Sequence, residues 1–236
     1  MRVEIWSDIA CPWCYIGRRR FEKALQQFEH SDRVEIVWRS FQLDPGAPRA
    51  YPGSANEMLV EMKGISREQA ERLHAHVTAL AAQEGLDYRF DLARPANSFD
   101  AHRLLHFAKG RGLQSEMKER IQKAYFTDGL LISDTDTLVK LAEEVGLDSV
   151  EVRRVLEDPT TYAGEVKADI RKARGLGING VPFFVFDEKY GVSGAQPVEL
   201  FLTAFERAWA DAHPVVTLAS EGQDAGTCDD ENCGIN

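Results

Sequence analysis

The sequence predicts an α/β fold with a large all-helical insertion between its second strand and a later strand that opens on a proline. Three observations carry this reading. The first forty residues read strand, helix, strand. Residues from about 54 to 174 carry helical apolar spacing with few strand candidates. Strand character then returns at Pro182 with FFVF, and one more helix follows.

The first strand is expected at residues 2–6, RVEIW, from its β-branched and aromatic content. Phe21, Ala24, Leu25 and Phe28 recur at i, i+3, i+4 and i+7, the stripe of an amphipathic helix, and residues 34–39, VEIVWR, suit a second strand. Residues 45–53, PGAPRAYPG, then break the pattern with prolines and glycines. Ser66-x-x-Gln69 is a capping-box start for a helix carrying Ala70, Leu73, Val77 and Leu80 to a stop at Gly85. Asn97 or Ser98 is positioned to cap the next helix, which carries Phe99, Leu104, Leu105 and Ala108 and ends near Gly110. Further helices fit 115–126, 135–145, 149–157 and 162–174. Asp187-Glu188-Lys189 suits a hairpin turn between residues 183–186 and 190–193, and a final helix after Pro197 carries Leu200, Phe201, Ala204, Phe205 and Ala208. The expected organisation is a discontinuous α/β unit of residues 1–44 and 178–213, a helical unit of residues 45–177, and an acidic tail of residues 214–236.

Composition narrows the function classes. A net charge of −10 without a long basic run argues against nucleic acid and anionic membrane surfaces as partners. No apolar run has the ~18 residues of a membrane-spanning helix. MRVEIWSD lacks the apolar core and cleavage site of a secretory signal, so a cytoplasmic location is expected. Four cysteines in 236 residues do not make a disulfide scaffold, and in a reducing compartment a close pair reads as catalytic or metal-binding.

That pair is Cys11-Pro12-Trp13-Cys14. A helix beginning after Cys11 puts Pro12 in its first turn, where a missing N–H costs nothing. Cys11 then sits at the N-cap, facing free amides and the positive end of the helix dipole, which favour a reactive thiolate. Cys14, one turn on, is placed to attack a mixed disulfide formed at Cys11. Trp13 offers an apolar surface for a polypeptide substrate. Arg18, Arg19 and Arg20 are expected on the solvated helix face. Half a zinc site or a structural pair are the competing readings of an isolated CxxC; the other two cysteines, Cys228 and Cys233, lie more than two hundred residues away with four residues between them.

The chain resembles the thioredoxin superfamily, and within it DsbA-like proteins with a helical insert, specifically the FrnE-type branch. The resemblance rests on Ser7-Asp8-x-x-Cys11-Pro12-Trp13-Cys14-Tyr15-x-Gly17, on Gly177-Ile178-Asn179-Gly180-Val181-Pro182-Phe183-Phe184 and on Gly191-Val192-Ser193-Gly194-Ala195-Gln196, within residues 2–212. It implies a thioredoxin-like fold, Cys11 as attacking and Cys14 as resolving cysteine, and a cis Val181–Pro182 peptide against the pair. The Val181 backbone would then hold an extended substrate like an added strand, with Pro12 and Trp13 beside it. Pro-Trp stands where the periplasmic oxidases have Pro-His, so their strongly oxidising character is not carried over.

The expected activity is thiol–disulfide exchange on disulfide-containing or misoxidised proteins, as isomerase or reductase, with a role in thiol repair under oxidative stress. No metal or organic cofactor is required; glutathione or a thioredoxin-type reductant is the expected redox partner. Two alternatives stay open: a glutathione-dependent isomerase or transferase of the kappa-class or chromene-carboxylate isomerase type, whose members typically carry serine at the position of Cys11, and a chaperone or binding module using the groove beside Trp13. The helical insert is expected to frame that groove. Gly175–Gly180 matches G-x-G-x-x-G but has a helix before it and a strand after it, the reverse of a dinucleotide loop. His102 and His106, four apart, and His74 and His76 read as ordinary helix positions, and Met58 and Met62 as core. Cys228 and Cys233 flank three carboxylates that disfavour thiolates; a redox relay to Cys11 and Cys14 and an inert tail are equally open.

Overall fold

In β1 (Arg2–Ser7) only Arg2 is exposed, because the strand has neighbours on both edges and helices on both faces. The computed structural model describes residues 1–214, so Cys228 and Cys233 lie outside the described residues. After β1 come α1 (Pro12–Gln27) and β2 (Glu35–Ser40). Seven helices follow: α2 (Ala55–Lys63), α3 (Arg67–Gln83), α4 (Phe99–Lys109), α5 (Gln114–Phe126), α6 (Thr135–Glu144), α7 (Ser149–Glu157) and α8 (Ala163–Gly175). The chain closes with β3 (Phe183–Phe186), β4 (Tyr190–Ser193) and α9 (Val198–Ala212). The sheet order is β2-β1-β3-β4, with β1 parallel to β2 and antiparallel to β3, and β4 antiparallel to β3. The helix-rich insertion between β2 and β3 is thus as the sequence predicts.

Local chemistry sets the boundaries. Ser66 and Gln69 close the expected capping box at α3, and Ser54 with Glu57 closes a second one at α2, a helix the sequence reading does not separate. Asn97, not Ser98, supplies the side-chain cap of α4: its Oδ1 accepts from Phe99 N–H at 2.9 Å. The β3–β4 turn uses Asp187 and Glu188 at φ 44° and 57°, and Asp187 is held there by accepting Arg2 N–H at 2.6 Å.

Two large apolar cores result, beside a small third cluster of Trp6, Ala173, Ile178 and Val185. One packs Val3, Ile5, Phe184 and Phe186 of the sheet against Phe21 of α1 and Phe201 and Phe205 of α9. The other joins Ile9, Tyr15 and Ile16 to Leu104, Phe107, Ile121, Phe126 and Leu141 of the insertion. Buried charge ties the insertion to the sheet. Asp169 on α8 accepts from Ser40 N–H (2.9 Å) and Arg39 (2.9 Å) on β2 and lies 3.2 Å from His106 on α4, while Glu4 on β1 pairs with Arg39 and Lys172.

Two expectations change. Arg18 is 6% exposed, not solvated; it lies 5.3 Å from the Trp38 ring and donates to Ser115 O and Glu22. Arg19 pairs with Glu119 and Glu22, and Arg20 with Glu84 and the Ala195 carbonyl. The insertion surrounds this face of α1, which the charge run does not reveal. Met62 is 56% exposed and Met58 half-buried, because α2 packs chiefly on α3 and leaves its outer side to solvent. Among the described residues no helix is long and apolar enough to cross a membrane.

Candidate active site

The β1–α1 turn delivers both sulfurs to the head of a helix. Cys11 is the N-cap of α1 in extended conformation, and Pro12 begins the helix, as expected. Both cysteines are free thiols. Val181–Pro182 is cis, as the resemblance implies, and Cys11 Sγ donates to the Val181 carbonyl at 3.6 Å. Pro182 is held from two sides: its carbonyl accepts Gly194 N–H at 2.8 Å, and a Cβ at Gly17 would fall 2.9 Å from Pro182 Cγ. Glycine at position 17 therefore lets α1 approach the proline loop. Trp13 is 37% exposed beside the pair and Pro12 is half-buried.

One expectation fails here. Cys11 is only 3% exposed and Cys14 1%. The dipole argument makes Cys11 the thiolate; the surroundings place the charge one turn deeper. Its hydrogen bond with Cys14, burial and the Cys14 charge push the Cys11 thiol well above its ordinary range. Burial opposes ionisation of Cys14 as well, but the hydrogen bond from Cys11, the positive charge of Lys118, Ser7 and the Asp8 backbone amide outweigh it and hold Cys14 below the usual range. The two buried sulfurs titrate as a pair, Cys14 as the more readily ionised and Cys11 as the sulfur whose S–H faces the Val181 carbonyl.

The insertion closes over this pair with groups the sequence does not flag. Tyr88 donates from its hydroxyl to the Pro12 carbonyl at 2.7 Å; burial first, then the charges of the two sulfurs, keep that hydroxyl protonated. Asp8, three residues before Cys11, is fully enclosed, accepts Leu43 N–H at 2.8 Å and contacts His102 Nε2 at 3.2 Å. Against burial, those partners and Ser98 hold its carboxyl below the usual range. Lys118 of α5 is 1% exposed, with Nζ 5.0 Å from the Trp38 ring centroid, and burial lowers its pKa to about 8. Asp8 stands in the Ser7-Asp8-x-x-Cys11 motif of the sequence, though without a role there, whereas Lys118 is marked by no motif.

His102 and His106 each meet an aspartate, Asp8 and Asp169, and His74 stacks on Phe90 at 4.0 Å while His76 is exposed. No group of three or more His, Cys, Asp or Glu side chains able to hold a metal occurs among the described residues. Gly175 to Gly180 connects α8 to β3, as expected for a non-nucleotide loop. A cavity of about 450 Å³ opens between Gln42, Arg49, Asn97, Asp100 and Ser133, and none of the dithiol residues lines it.

Two reduced thiols at a helix head, with an X–Pro loop across them and a four-stranded sheet behind, define a thioredoxin-like dithiol protein. The chain belongs to the DSBA-like thioredoxin domain family, whose model matches residues 2–206. It is similar to the probable DsbA oxidoreductase SCO1869 from Streptomyces coelicolor, with 48% identity over 100% of this chain and 99% of that one and a TM-score of 0.87. YwbO of Bacillus subtilis (strain 168) is 28% identical over 203 residues, 85% of this chain and 94% of that protein. The cytosolic disulfide reductase DsbM from Pseudomonas aeruginosa, solved with GSH, shares the fold at 18% identity and a TM-score of 0.62, covering 89% of this chain and 99% of that one.

Proposed function

We propose that this DsbA-family chain is a cytosolic thiol–disulfide oxidoreductase of the FrnE type, acting on protein disulfides as an isomerase or reductase through Cys11 and Cys14. The observation that carries the reading is the pair of free thiols at the head of α1, with Cys11 Sγ donating to the Val181 carbonyl of the Val181–Pro182 loop. Cys11, which lies against that loop, is the sulfur presented to a substrate. As it attacks one sulfur of a substrate disulfide, its proton passes to the Cys14 thiolate; a mixed disulfide forms at Cys11 and the other substrate sulfur leaves as a thiolate. Cys14, deprotonated again, then attacks Cys11 Sγ, forming the Cys11–Cys14 disulfide and releasing the second thiolate. Two electrons pass from the dithiol to the substrate, and an outside thiol must return them. When the released substrate sulfur attacks elsewhere before resolution, the same chemistry isomerises.

Trp13, exposed beside the pair, supplies apolar contact, and the Val181 N–H, which makes no backbone hydrogen bond among the described residues, offers a strand-like partner. Glutathione is the reductant to test first, in line with the GSH complex of DsbM. Cys228 and Cys233 are proposed to exchange with this pair or tune it. Unchanged exchange kinetics and potential in a Cys228→Ser/Cys233→Ser variant would remove that role. The function itself is tested by insulin reduction and scrambled-ribonuclease refolding. Cys11→Ser should abolish both, and Cys14→Ser should accumulate mixed disulfides; full turnover by Cys11→Ser would overturn the assignment.

A further inference from the structure

We infer that Tyr88, carried to the head of α1 by the helical insertion, is a positioning residue for the outer sulfur. By donating to the Pro12 carbonyl it fixes and polarises the Pro12–Trp13 peptide, whose N–H then stabilises negative charge on Cys11 during exchange. The inference deepens the proposed exchange chemistry and rests on it.

The mounting of Tyr88 is rigid. Its chain neighbours are both tied to the end of α5: Thr127 Oγ1 donates to the Asp87 carbonyl at 2.7 Å, and Arg89 N–H to the Phe126 carbonyl at 2.7 Å. Its ring stacks on Phe126 at 4.6 Å, with Phe90 edge-on at 5.7 Å and Tyr15 of α1 at 6.2 Å. Tyr88 is 3% exposed, and its hydroxyl donates to Pro12 O at 2.7 Å. A phenylalanine would fill the same aromatic surroundings; that one bond is what the phenol adds.

The bond falls on the first peptide of the helix. Cys11 is the N-cap of α1, so Pro12, Trp13 and Cys14 are its first three residues. An N-cap side chain accepts from the amides of the second and third helical residues, here Trp13 and Cys14. The Cys14 amide already donates to Cys11 O at 3.1 Å, whereas the Trp13 amide makes no backbone hydrogen bond among the described residues. The Pro12–Trp13 peptide is trans. Its C=O and N–H are therefore held antiparallel in one plane, and a donor fixed on Pro12 O fixes the direction of Trp13 N–H. A hydrogen bond accepted at the carbonyl also strengthens the amide as a donor.

In the thiol form Cys11 makes no side-chain cap hydrogen bond, and its proton is directed to the Val181 carbonyl. Once that proton passes to Cys14, Cys11 Sγ is left only as an acceptor, and the Trp13 amide is the uncommitted donor of the N-cap. Tyr88 itself keeps its proton throughout, held by burial and by the charges of the two sulfurs. No bond to Tyr88 forms or breaks, and the electrons move as in the exchange above.

The test reads Cys11 ionisation without any substrate. In a Cys14→Ser background, thiolate absorbance against pH is compared with and without Tyr88→Phe. The expected result is a fall of roughly threefold or more in the Cys11 thiolate fraction below the midpoint, a rise of about half a pH unit in that midpoint. A purely structural tyrosine would change the urea midpoint and leave the Cys11 midpoint in place, so an unchanged Cys11 midpoint in folded Tyr88→Phe overturns the inference. Should Tyr88→Phe not fold, NMR of the Trp13 amide in the Cys14→Ser chain decides: a downfield proton shift as Cys11 ionises supports the inference, and a resonance that stays in place overturns it. Absence of insulin reduction by the wild-type chain, together with the Tyr88 effect on Cys11, would reject the substrate assignment and keep the positioning role.

Discussion

Replacing Gly17 by alanine places one methyl group where α1 meets the proline loop. The added Cβ would lie 2.9 Å from Pro182 Cγ and 3.4 Å from Ala195 Cα and Cβ. Ordinary carbon contacts are about 3.5–4.0 Å, so a rigid ring must retreat by roughly half an ångström or more, and Ala195 closes the other direction. Overpacking of this kind costs about 1–3 kcal/mol, offset by about 1 kcal/mol gained when glycine leaves a helix interior. The net loss of stability should therefore be modest, up to about 2 kcal/mol by urea titration. The exchange rate should fall further, because Val181, whose carbonyl accepts from Cys11 Sγ, precedes the displaced proline; misplacement near 1 Å costs up to about a hundredfold. The assay is stopped-flow reduction of a peptide disulfide beside the urea curve, with at least tenfold slower exchange expected. A Gly17→Ala variant with wild-type exchange would refute the contact between α1 and the proline loop as a determinant of the site.

Three further outcomes follow from the same contacts. Asp169→Ala should cost about 1–3 kcal/mol in urea unfolding at neutral pH, since it leaves the buried Ser40 N–H unpaired and removes one of the two carboxylates on Arg39, which keeps Glu4. In the wild type the Asp169 carboxyl is held below its ordinary value: burial opposes this, but His106, Ser40 and Arg39 outweigh it. The unfolded state thus binds the proton more readily, so this contribution is complete above the ordinary aspartate range, about pH 4, and is lost as pH falls through the lower folded value; a wild-type acid unfolding curve identical to that of Asp169→Ala would contradict it. Tyr88→Phe removes the hydrogen bond to the Pro12 carbonyl and should cost about 1–2 kcal/mol, read as a shifted urea midpoint with unchanged slope. Trp13→Ala, at an exposed position, should change stability by no more than about 0.5 kcal/mol and raise KM for insulin while leaving reduction of a small disulfide untouched; equal effects on both substrates would remove its role in holding polypeptide.

The β-α-β start, the helical insertion and the closing hairpin were legible because each rests on local chemistry. Ser66 with Gln69, Pro12 after Cys11, and the FFVF run after Pro182 state their structures within a few residues. The dithiol could be located for the same reason. Its electrostatics could not. Lys118, Tyr88 and His102 reach the site from helices and loops some seventy to a hundred residues downstream, and the sequence carries no periodic sign of that meeting. The dipole argument for Cys11 failed because it treated the turn as solvent-facing, whereas burial and a second sulfur dominate there. The arginine run misled likewise: Glu119, Glu84 and Trp38, all distant in sequence, make Arg18 to Arg20 a seam instead of a solvated face.

The most direct measurement of the central claim is a pH titration of iodoacetamide alkylation on the reduced wild-type chain, with each modified cysteine identified by mass. A coupled pair should show a first ionisation below the ~8.5 of a free cysteine and a second well above it. Two independent thiols, both titrating near that free value, would contradict the account.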